Sequence, residues 1–188
     1  MSAVTIYKDS DAGKPLAKHT EFEAIKKALA QIEIGFERWQ ATQPLKPDDG
    51  QDAVLAAYQD SIATLNAKYG FKTVDVISLN PQSPNIEAAR SKFLAEHTHD
   101  DFEIRFFVDG SGLFYIRKHG KVYMTLCEKG DLITLPANTT HWFDMGPKPF
   151  IKAIRFFRIA EGWVGKFTGD SIADRFPKYE SGGDDTAS

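Results

Sequence analysis

The stretch from Glu103 to Phe157 constrains the fold more than any other part of the chain. Short runs of β-branched and aromatic residues, such as "EIRFFV", "LFYIRK", "VYMTLC" and "FIKAIRFF", alternate there with turn signals such as "DGSG", "HGK", "EKGD" and "GPKP". This spacing is typical of short antiparallel strands in a sandwich or a small barrel. Because no helical segment interrupts the runs, a parallel α/β sheet is disfavoured. We therefore predict a mainly β fold.

The first third of the chain is predicted to contain helices. Thr20 and Glu23 have the spacing of a capping box, and apolar residues then recur at helical intervals. A second helix is predicted through "AVLAAYQDSIATLNAKYG", ending at Gly70. A strand is predicted at "KTVDVISL", followed by a short helix entered at Asn85. We expect these helices to pack against the outside of one β-barrel.

The chain of 188 residues is long enough to bury one proper core. No internal repeat and no convincing domain boundary interrupts it. We therefore predict a single domain over residues 1–180, with a helical part at about residues 20–70. Residues 181–188 are small and polar, and we predict that they form a disordered tail.

Charge and cysteine content exclude several classes of function. The formal net charge is −3, so there is no basic excess that would favour binding to nucleic acid. No apolar run is long enough to span a bilayer, and the first residues lack a secretory signal pattern. Cys127 is the single cysteine, which excludes an intramolecular disulfide and fits a reducing cytoplasm. We predict that Cys127 is a buried small hydrophobe.

A cluster of histidines and acids precedes the first of the β runs. In an extended strand, side chains two and four residues apart share one face, which places His97, His99, Glu103 and Arg105 together. His141 begins another predicted strand, and inward residues of different strands converge in a small barrel. Three imidazoles and one carboxylate could therefore meet at one point. His19 and His119 lie in contexts that predict exposure to solvent.

These side chains suit a divalent transition metal such as Fe(II), Ni(II), Mn(II), Co(II) or Zn(II). Four protein ligands in an octahedral site would leave two adjacent positions for a substrate that binds through two oxygens. The same four ligands could instead close a tetrahedral structural zinc site, although such sites usually use cysteine. A polar strand end without any metal is the third alternative.

Two segments resemble the motifs of the cupin superfamily. The first motif has its histidine pair, glutamate and glycine at His97, His99, Glu103 and Gly110, and the second has Gly130, Pro136 and His141. Ser91 and Asn138 stand where the family often has glycine. The resemblance implies a cupin-type β-barrel, also described as a double-stranded β-helix or jelly roll, with the N-terminal helices packed outside.

The chain is more closely similar to the bacterial acireductone dioxygenase family. The similarity rests on "SPNIEAARSKFLAEHTH", "EIRFFVDGSGLFYIR", "LCEKGDLITLPANTTHWFDMG", "EGWVGKFTGD" and a helical start with "IGFERW". It implies an enzyme of methionine salvage that cleaves 1,2-dihydroxy-3-keto-5-methylthiopentene with O2. With iron the products would be formate and 4-methylthio-2-oxobutanoate; with nickel, formate, carbon monoxide and 3-methylthiopropionate. The family implies one Fe2+ or Ni2+ per chain and a monomer.

The resemblance assigns roles to individual residues. His97, His99, Glu103 and His141 match the metal ligands, and Glu96 matches a position implicated in metal incorporation. Arg105 matches a position implicated in generating the substrate dianion. Phe102 matches a position tied to conformational transmission, where bacterial relatives commonly have an acid.

Arg105 also needs an anionic partner on physical grounds, because a buried guanidinium is costly when unpaired. The partner could be a bound enediolate or an acid inside the barrel, and a barrel-end arginine could instead reach solvent. Phe107, Phe143, Arg155 and Trp163 are further candidates for the substrate pocket. Two other functions stay open: another cupin metalloenzyme, such as an isomerase or a different dioxygenase, and a cupin that binds a metal or small ligand without catalysis.

Overall fold

The structure, a computed structural model of the chain, describes residues 1–180. The predicted tail at residues 181–188 lies outside the described residues. The strands are β1 (Ala3–Lys8), β2 (Asp11–His19), β3 (Gly35–Arg38), β4 (Thr73–Leu79), β5 (His97–Thr98), β6 (Glu103–Lys118), β7 (Lys121–Glu128), β8 (Asp131–Leu135), β9 (Thr140–Asp144), β10 (Ile151–Phe157) and β11 (Lys166–Phe167). The helices are α1 (Phe22–Ala30), α2 (Gln51–Ala57), α3 (Gln59–Tyr69), α4 (Ile86–Leu94) and a 3-10 helix (Ile172–Arg175).

The strands form two antiparallel layers that share β6. One layer has the order β11-β5-β9-β6-β7-β1-β2, and the other has the order β3-β8-β6-β10-β4. The first half of β6 pairs with β8 and β10, whereas its second half pairs with β7 and β9. The predicted mainly β fold is confirmed, and β6 is the element that closes the two layers around one interior.

Two glycines allow β6 to change layers. Gly110 has a φ of 67°, and a Cβ there would overlap the carbonyl oxygen of Phe150. A Cβ on Gly112 would overlap the ring of Phe143. The turn predicted at "DGSG" is therefore wrong: the glycines permit a bend within one continuous strand, because they accept a positive φ and a close neighbour.

The N-terminal part is less helical than predicted. β1 and β2 were not expected, and "IGFERW" forms β3 rather than part of a helical start. β1 pairs with β7, and β3 pairs with β8, so both segments are held by the barrel. Pairing partners distant in sequence override local propensity here.

The helices themselves agree with the prediction apart from their boundaries. α1 begins at Phe22 after Glu21, which makes no side-chain cap bond, so the capping box expected from Thr20 is wrong. The predicted long second helix is interrupted at Tyr58, whose φ of −112° departs from helical geometry, and it becomes α2 and α3. Gly70 ends α3 in the left-handed conformation, as predicted. None of the helices in residues 1–180 has both the length and the apolar character needed to cross a bilayer.

Alternate side chains of β6 belong to two different apolar clusters, one in the barrel interior and one in a second layer. Ile104, Phe106 and Val108 face the cluster formed with α2 and α3. Phe107 belongs instead to the interior cluster, which also holds Phe114, Ile133 and Phe143. Because side chains alternate along a strand, Glu103 and Arg105 share the interior face with Phe107. Glu103 and Arg105 thus lie at one end of an apolar interior.

Candidate metal centre

Three histidines meet where β5 and β9 run side by side. His97 in β5 is the direct cross-strand partner of His141 in β9, and His99 follows β5 by one residue. Each histidine contributes one ring nitrogen, and these nitrogens lie within 4.8 Å of one another. All three residues are buried. The predicted convergence of the three imidazoles is confirmed.

Backbone carbonyls orient each ring. Nδ1 lies 2.7 Å from the Ala95 oxygen in His97 and 2.8 Å from the Thr139 oxygen in His141. Nδ1 of His99 lies 3.0 Å from the Val164 oxygen. A carbonyl can only accept a hydrogen bond, so each Nδ1 carries the proton. The lone pair therefore resides on Nε2, which is the arrangement that metal-binding histidines require.

The surroundings of His97 and His141 favour the neutral imidazole. Burial lowers the pKa of His97 below its usual value, and burial together with the neighbouring His97 lowers the pKa of His141 to about 3. A protonated imidazole cannot ligate a cation, so a low pKa keeps the lone pairs available near neutral pH.

Glu103 adds an ionised carboxylate to the three rings. Its side chain is only 1% exposed, and its Oε2 lies 3.4 Å from Nε2 of His99. Burial alone would raise the pKa of Glu103, but the charge of Arg105, helped by Arg155, outweighs burial and brings the pKa to about 2. Oε2 finds no hydrogen-bond donor in the part of the chain that the structure describes. An orphaned buried anionic oxygen beside imidazole lone pairs fits a bound cation.

The convergence of Glu103 with the histidines has a different cause from the one predicted. The prediction placed His97, His99 and Glu103 on one face of a single strand. In the structure β5 ends at Thr98, the chain bends at Asp100 and Asp101, and Glu103 starts β6 in the other layer. The bend brings the carboxylate to 3.4 Å from Nε2 of His99, whereas the group of possible ligand atoms that lie within 4.8 Å of one another holds His97, His99 and His141. The argument from one continuous strand is therefore wrong, and Glu103 as a fourth ligand stays a prediction.

Arg105 is fixed by Glu103 and by two aromatic rings. Its Nε and Nη2 donate to Oε1 of Glu103 at 3.0 and 2.7 Å. The guanidinium carbon lies 4.6 Å from the centre of the Phe114 ring and 4.5 Å from that of Phe143. Its Nη1 is buried and has no hydrogen-bond partner among the described residues. Of the predicted alternatives, the acid inside the barrel is therefore observed, and one nitrogen stays available for a ligand.

An open cavity of about 380 Å³ adjoins these groups. Its wall includes all three histidines, both interior arginines and apolar side chains of α4 and of the segment after β10. It is lined by Ala89, Lys92, Phe93, His97, His99, Arg105, His141, Phe143, Arg155, Trp163, Val164, Gly165 and Phe167. The cavity thus joins a polar floor, which holds the histidines, to a largely apolar wall.

The predicted pocket residues divide into two groups. Phe143, Arg155 and Trp163 line the cavity, and Trp163 is 46% exposed at its mouth. Phe107 is fully buried in the interior cluster and does not reach the cavity, so its prediction as a pocket residue is corrected. Its ring packs edge-on against that of Phe114, which in turn lies under the guanidinium of Arg105.

Glu96 and Phe102 lie beside the centre without facing it. Glu96 is buried: Oε1 accepts a 2.7 Å hydrogen bond from the Thr168 hydroxyl, and Oε2 lies 3.4 Å from Arg117 Nη1. The ring of Phe102 packs in the outer apolar cluster, 5.8 Å from Tyr69 and 5.9 Å from Phe71. Phe102 is therefore anchored to α3 and the chain that follows it.

Other sequence predictions can be placed as well. Asn138 has a φ of 61°, which explains why glycine suits that position and why asparagine can replace it. Cys127 is buried, as predicted. The carbonyl partners of the histidine rings and the pairing of Asp75 with Arg155 had no recognisable sequence signal, because backbone oxygens are common to all residues and Asp75 lies in a distant strand.

An antiparallel barrel with three histidines and an ionised glutamate at its mouth defines the class of metal-binding cupins. The family comparison is more specific: the sequence model of the ARD/ARD′ family matches residues 3–165. The chain belongs to the ARD/ARD′ family.

Individual relatives agree with this assignment. The chain is 52% identical to "Acireductone dioxygenase" of Methylococcus capsulatus over 180 residues, which cover 96% of each chain. It is 51% identical to "Acireductone dioxygenase" of Parvibaculum lavamentivorans over 96% of this chain and 98% of that one. A solved structure, acireductone dioxygenase from Bacillus anthracis with a cadmium ion in its active centre, superposes with a TM-score of 0.76 at 31% identity. It covers 89% of this chain and 98% of that chain.

Proposed function

We propose that the protein is a metal-dependent dioxygenase that cleaves 1,2-dihydroxy-3-keto-5-methylthiopentene with O2 in methionine salvage. The observation that carries the proposal is the meeting of three buried imidazoles beside a cavity, with the orphaned Oε2 of Glu103 lying 3.4 Å from Nε2 of His99. It occurs in a chain about half identical to named acireductone dioxygenases over nearly its full length.

We assign His97, His99, Glu103 and His141 as the ligands of one Fe2+ or Ni2+. Three nitrogens and one carboxylate oxygen suit either ion, and carboxylate with imidazole does not favour the softer metals. When bound, such an ion supplies Lewis acidity at the oxygens of the enediolate. The iron form would yield formate and 4-methylthio-2-oxobutanoate, and the nickel form would yield formate, carbon monoxide and 3-methylthiopropionate.

Arg105 would hold the substrate as an anion. Arg105 lines the cavity, and a charged hydrogen bond from its unpartnered Nη1 to an enediolate oxygen would supply the missing partner. A positive charge at this place favours loss of the substrate proton, because it stabilises the resulting dianion. The bonds from Arg105 to Glu103 and the flanking rings fix the guanidinium before substrate arrives.

Phe143 and Trp163 would limit the access of water to the bound substrate. Phe143 covers the guanidinium of Arg105, and Trp163 stands at the mouth. Apolar surface around the substrate strengthens the electrostatic contacts inside and protects reactive species from hydrolysis.

Two residues outside the cavity have proposed supporting roles. Glu96 precedes the first ligand and is held by Thr168 and Arg117, a position from which it could assist metal incorporation. Phe102 replaces the acid common in relatives, so transmission of local change there would depend on ring packing against Tyr69 and Phe71. We further propose that residues 1–180 act as one domain in a cytoplasmic monomer.

The test compares three preparations: metal-free protein, protein loaded with Fe2+ and protein loaded with Ni2+. Each receives the acireductone with O2, and substrate loss, formate, carbon monoxide in the headspace and the organic acids are measured. Both loaded forms should accelerate substrate loss, and only the nickel form should release carbon monoxide. The proposal fails if neither loaded form exceeds the rate of the metal-free control.

A further inference from the structure

Three charged side chains form one row across the layer that contains β4, β10 and β6. Arg155 in β10 lies directly opposite Asp75 in β4 on one side and opposite Arg105 in β6 on the other. Residues directly opposite in antiparallel strands project from the same face of the sheet. Both arginines line the cavity, so this shared face is the one toward the metal centre.

Each arginine of the row is held by an acid, Arg155 by its cross-strand partner Asp75 and Arg105 by Glu103, two residues earlier in β6. Arg155 donates to Asp75 through Nε and Nη2 at 2.8 and 2.7 Å, a bidentate pair. Arg105 donates through the same two atoms to Glu103. Both guanidinium groups are therefore fixed through one edge, and the Nη1 atom of each makes no hydrogen bond to residues 1–180.

Two like charges placed directly opposite in a sheet repel each other, and burial strengthens the repulsion. Arg105 is 3% exposed, and the side chain of Arg155 is 16% exposed. Asp75 and Glu103 balance the two charges, and an anion between the two guanidinium groups in the adjoining cavity would further reduce their mutual repulsion. Two fixed guanidinium groups that lie side by side and both line the cavity point to a ligand with more than one anionic oxygen.

We propose that Arg155, positioned by Asp75, is a second anion-binding residue that contacts a carboxylate or enolate oxygen of a short ligand with an apolar tail. This inference rests on the proposed function for the identity of the substrate, but it concerns binding and needs no turnover. The ligand class includes 2-oxo carboxylates, whose tail would lie along Phe93 and Phe143. The 2-oxo acid product would accordingly compete with substrate for the site.

The experiment measures binding of 2-oxohexanoate to the nickel-loaded protein by isothermal titration calorimetry without O2. Arg155→Met removes the charge and keeps most of the apolar stem, and it should raise the Kd by about tenfold or more, the effect of one charged hydrogen bond. Arg155→Lys keeps a charge without the bidentate geometry and should give an intermediate Kd. Asp75→Asn should raise the Kd by about threefold, because a neutral partner holds the guanidinium less firmly.

Arg158→Met is the matched control. It removes the same charge three residues further along, from a guanidinium that lies over the Phe102 ring outside the cavity. Its Kd should stay within about twofold of the parent. Metal content of every variant is measured alongside, because a merely structural Arg155 would change metal retention or thermal stability and leave the Kd of metal-replete protein unaltered.

The outcomes separate the two proposals. If Arg155→Met with full metal content binds 2-oxohexanoate as tightly as the parent, the anion-binding role is overturned, whatever the activity. An unchanged Kd in Asp75→Asn overturns the positioning role of Asp75. If the parent binds 2-oxohexanoate through Arg155 but no metal form degrades the acireductone, the proposed function fails and the binding inference stands. With active protein, Arg155→Met should also raise KM more than it lowers kcat.

Discussion

Arg105 places both of its hydrogen bonds on one oxygen of Glu103, and so leaves the other oxygen of that carboxylate 3.4 Å from Nε2 of His99. The same contact that keeps the buried Glu103 ionised therefore also leaves its second oxygen directed at His99. Neither residue can be understood alone: without Arg105 the buried carboxylate would take up a proton, and without Glu103 the buried guanidinium would have no counter-charge.

This relationship predicts the effect of Glu103→Gln. The amide keeps the shape but removes the charge, so Arg105 is left buried without a counter-ion. Metal-free protein should lose about 3 kcal/mol of unfolding free energy in urea, as expected for a broken buried ion pair. Bound metal per chain should fall well below one. Glu128→Gln, at a partly exposed acid that pairs with the N-terminus, is the control and should change neither quantity. A Glu103→Gln protein with full metal content would contradict the ligand assignment.

A second prediction concerns Gly112, whose missing side chain gives room to Phe143. In Gly112→Ala the new methyl group would push the ring that covers Arg105 and lines the cavity. We expect a loss of about 1–3 kcal/mol in stability, typical of overpacking, together with a higher KM. Urea denaturation and steady-state kinetics measure the two effects. Gly13→Ala, on the exposed β2, meets only an ordinary contact and should be close to neutral. Equal behaviour of the two variants would show that Phe143 moves without cost.

The meeting of the three histidines could be predicted from sequence, because the motifs that contain them encode local geometry. His97 and His99 flank a strand end, and Pro136 with Asn138 shapes the turn before His141. The reason offered for Glu103 was wrong, since a bend and not a continuous strand brings it to the rings. The spacing of the motif residues still pointed to Glu103, because that spacing is typical of the folded site whichever way the chain bends between the residues.

Other features depended on contacts that local sequence does not carry. β1 and β3 take their conformation from β7 and β8, far along the chain, so local pattern alone did not identify them. Two acids that form ion pairs around the cavity were not predicted, for the same reason. Asp75 reaches Arg155 across a strand pair, and Asp144 reaches Arg90 in α4. Charged residues in predicted strands or loops give no indication of burial until their partners are known.

Asp144 leads to a third prediction. Its fully buried carboxylate accepts two hydrogen bonds from Arg90, at 2.7 and 2.9 Å, and others from the backbone N–H groups of Gly146 and Tyr179. It therefore ties α4, whose Phe93 lines the cavity, to β9 and to the C-terminal segment. Asp144→Asn should cost about 3 kcal/mol in urea denaturation. A double-mutant cycle with Arg90→Met should show strong coupling, and Asp174→Asn at an exposed site should show little change. Additive effects of the two substitutions would contradict the linkage.

The single thiol gives a fourth prediction. Cys127 is buried, and burial raises its pKa well above the usual value, so the reactive thiolate is scarce and inaccessible. Native protein should resist iodoacetamide at pH 8, whereas urea-unfolded protein should react at the rate of a free thiol. Mass spectrometry after timed quenching measures both rates. Rapid alkylation of native protein would show that the thiol reaches solvent without unfolding.

The last prediction concerns acid stability of the metal-free protein. The pKa of His141 is about 3 in the folded state, against 6.5 for an unperturbed histidine, so the unfolded chain binds more protons between these values. Stability should therefore fall as pH drops from 6.5 towards 3, with a slope of up to about 1.4 kcal/mol per pH unit from this residue. Glu103, with a pKa of about 2 against 4.5, adds a loss of stability below pH 4.5 in the same direction.

His141→Gln should flatten the slope between pH 6.5 and 4.5, where Glu103 contributes little. Urea denaturation at a series of pH values measures the slope. An identical slope in the parent and in His141→Gln would show that His141 takes up its proton as readily in the folded protein as in the unfolded chain.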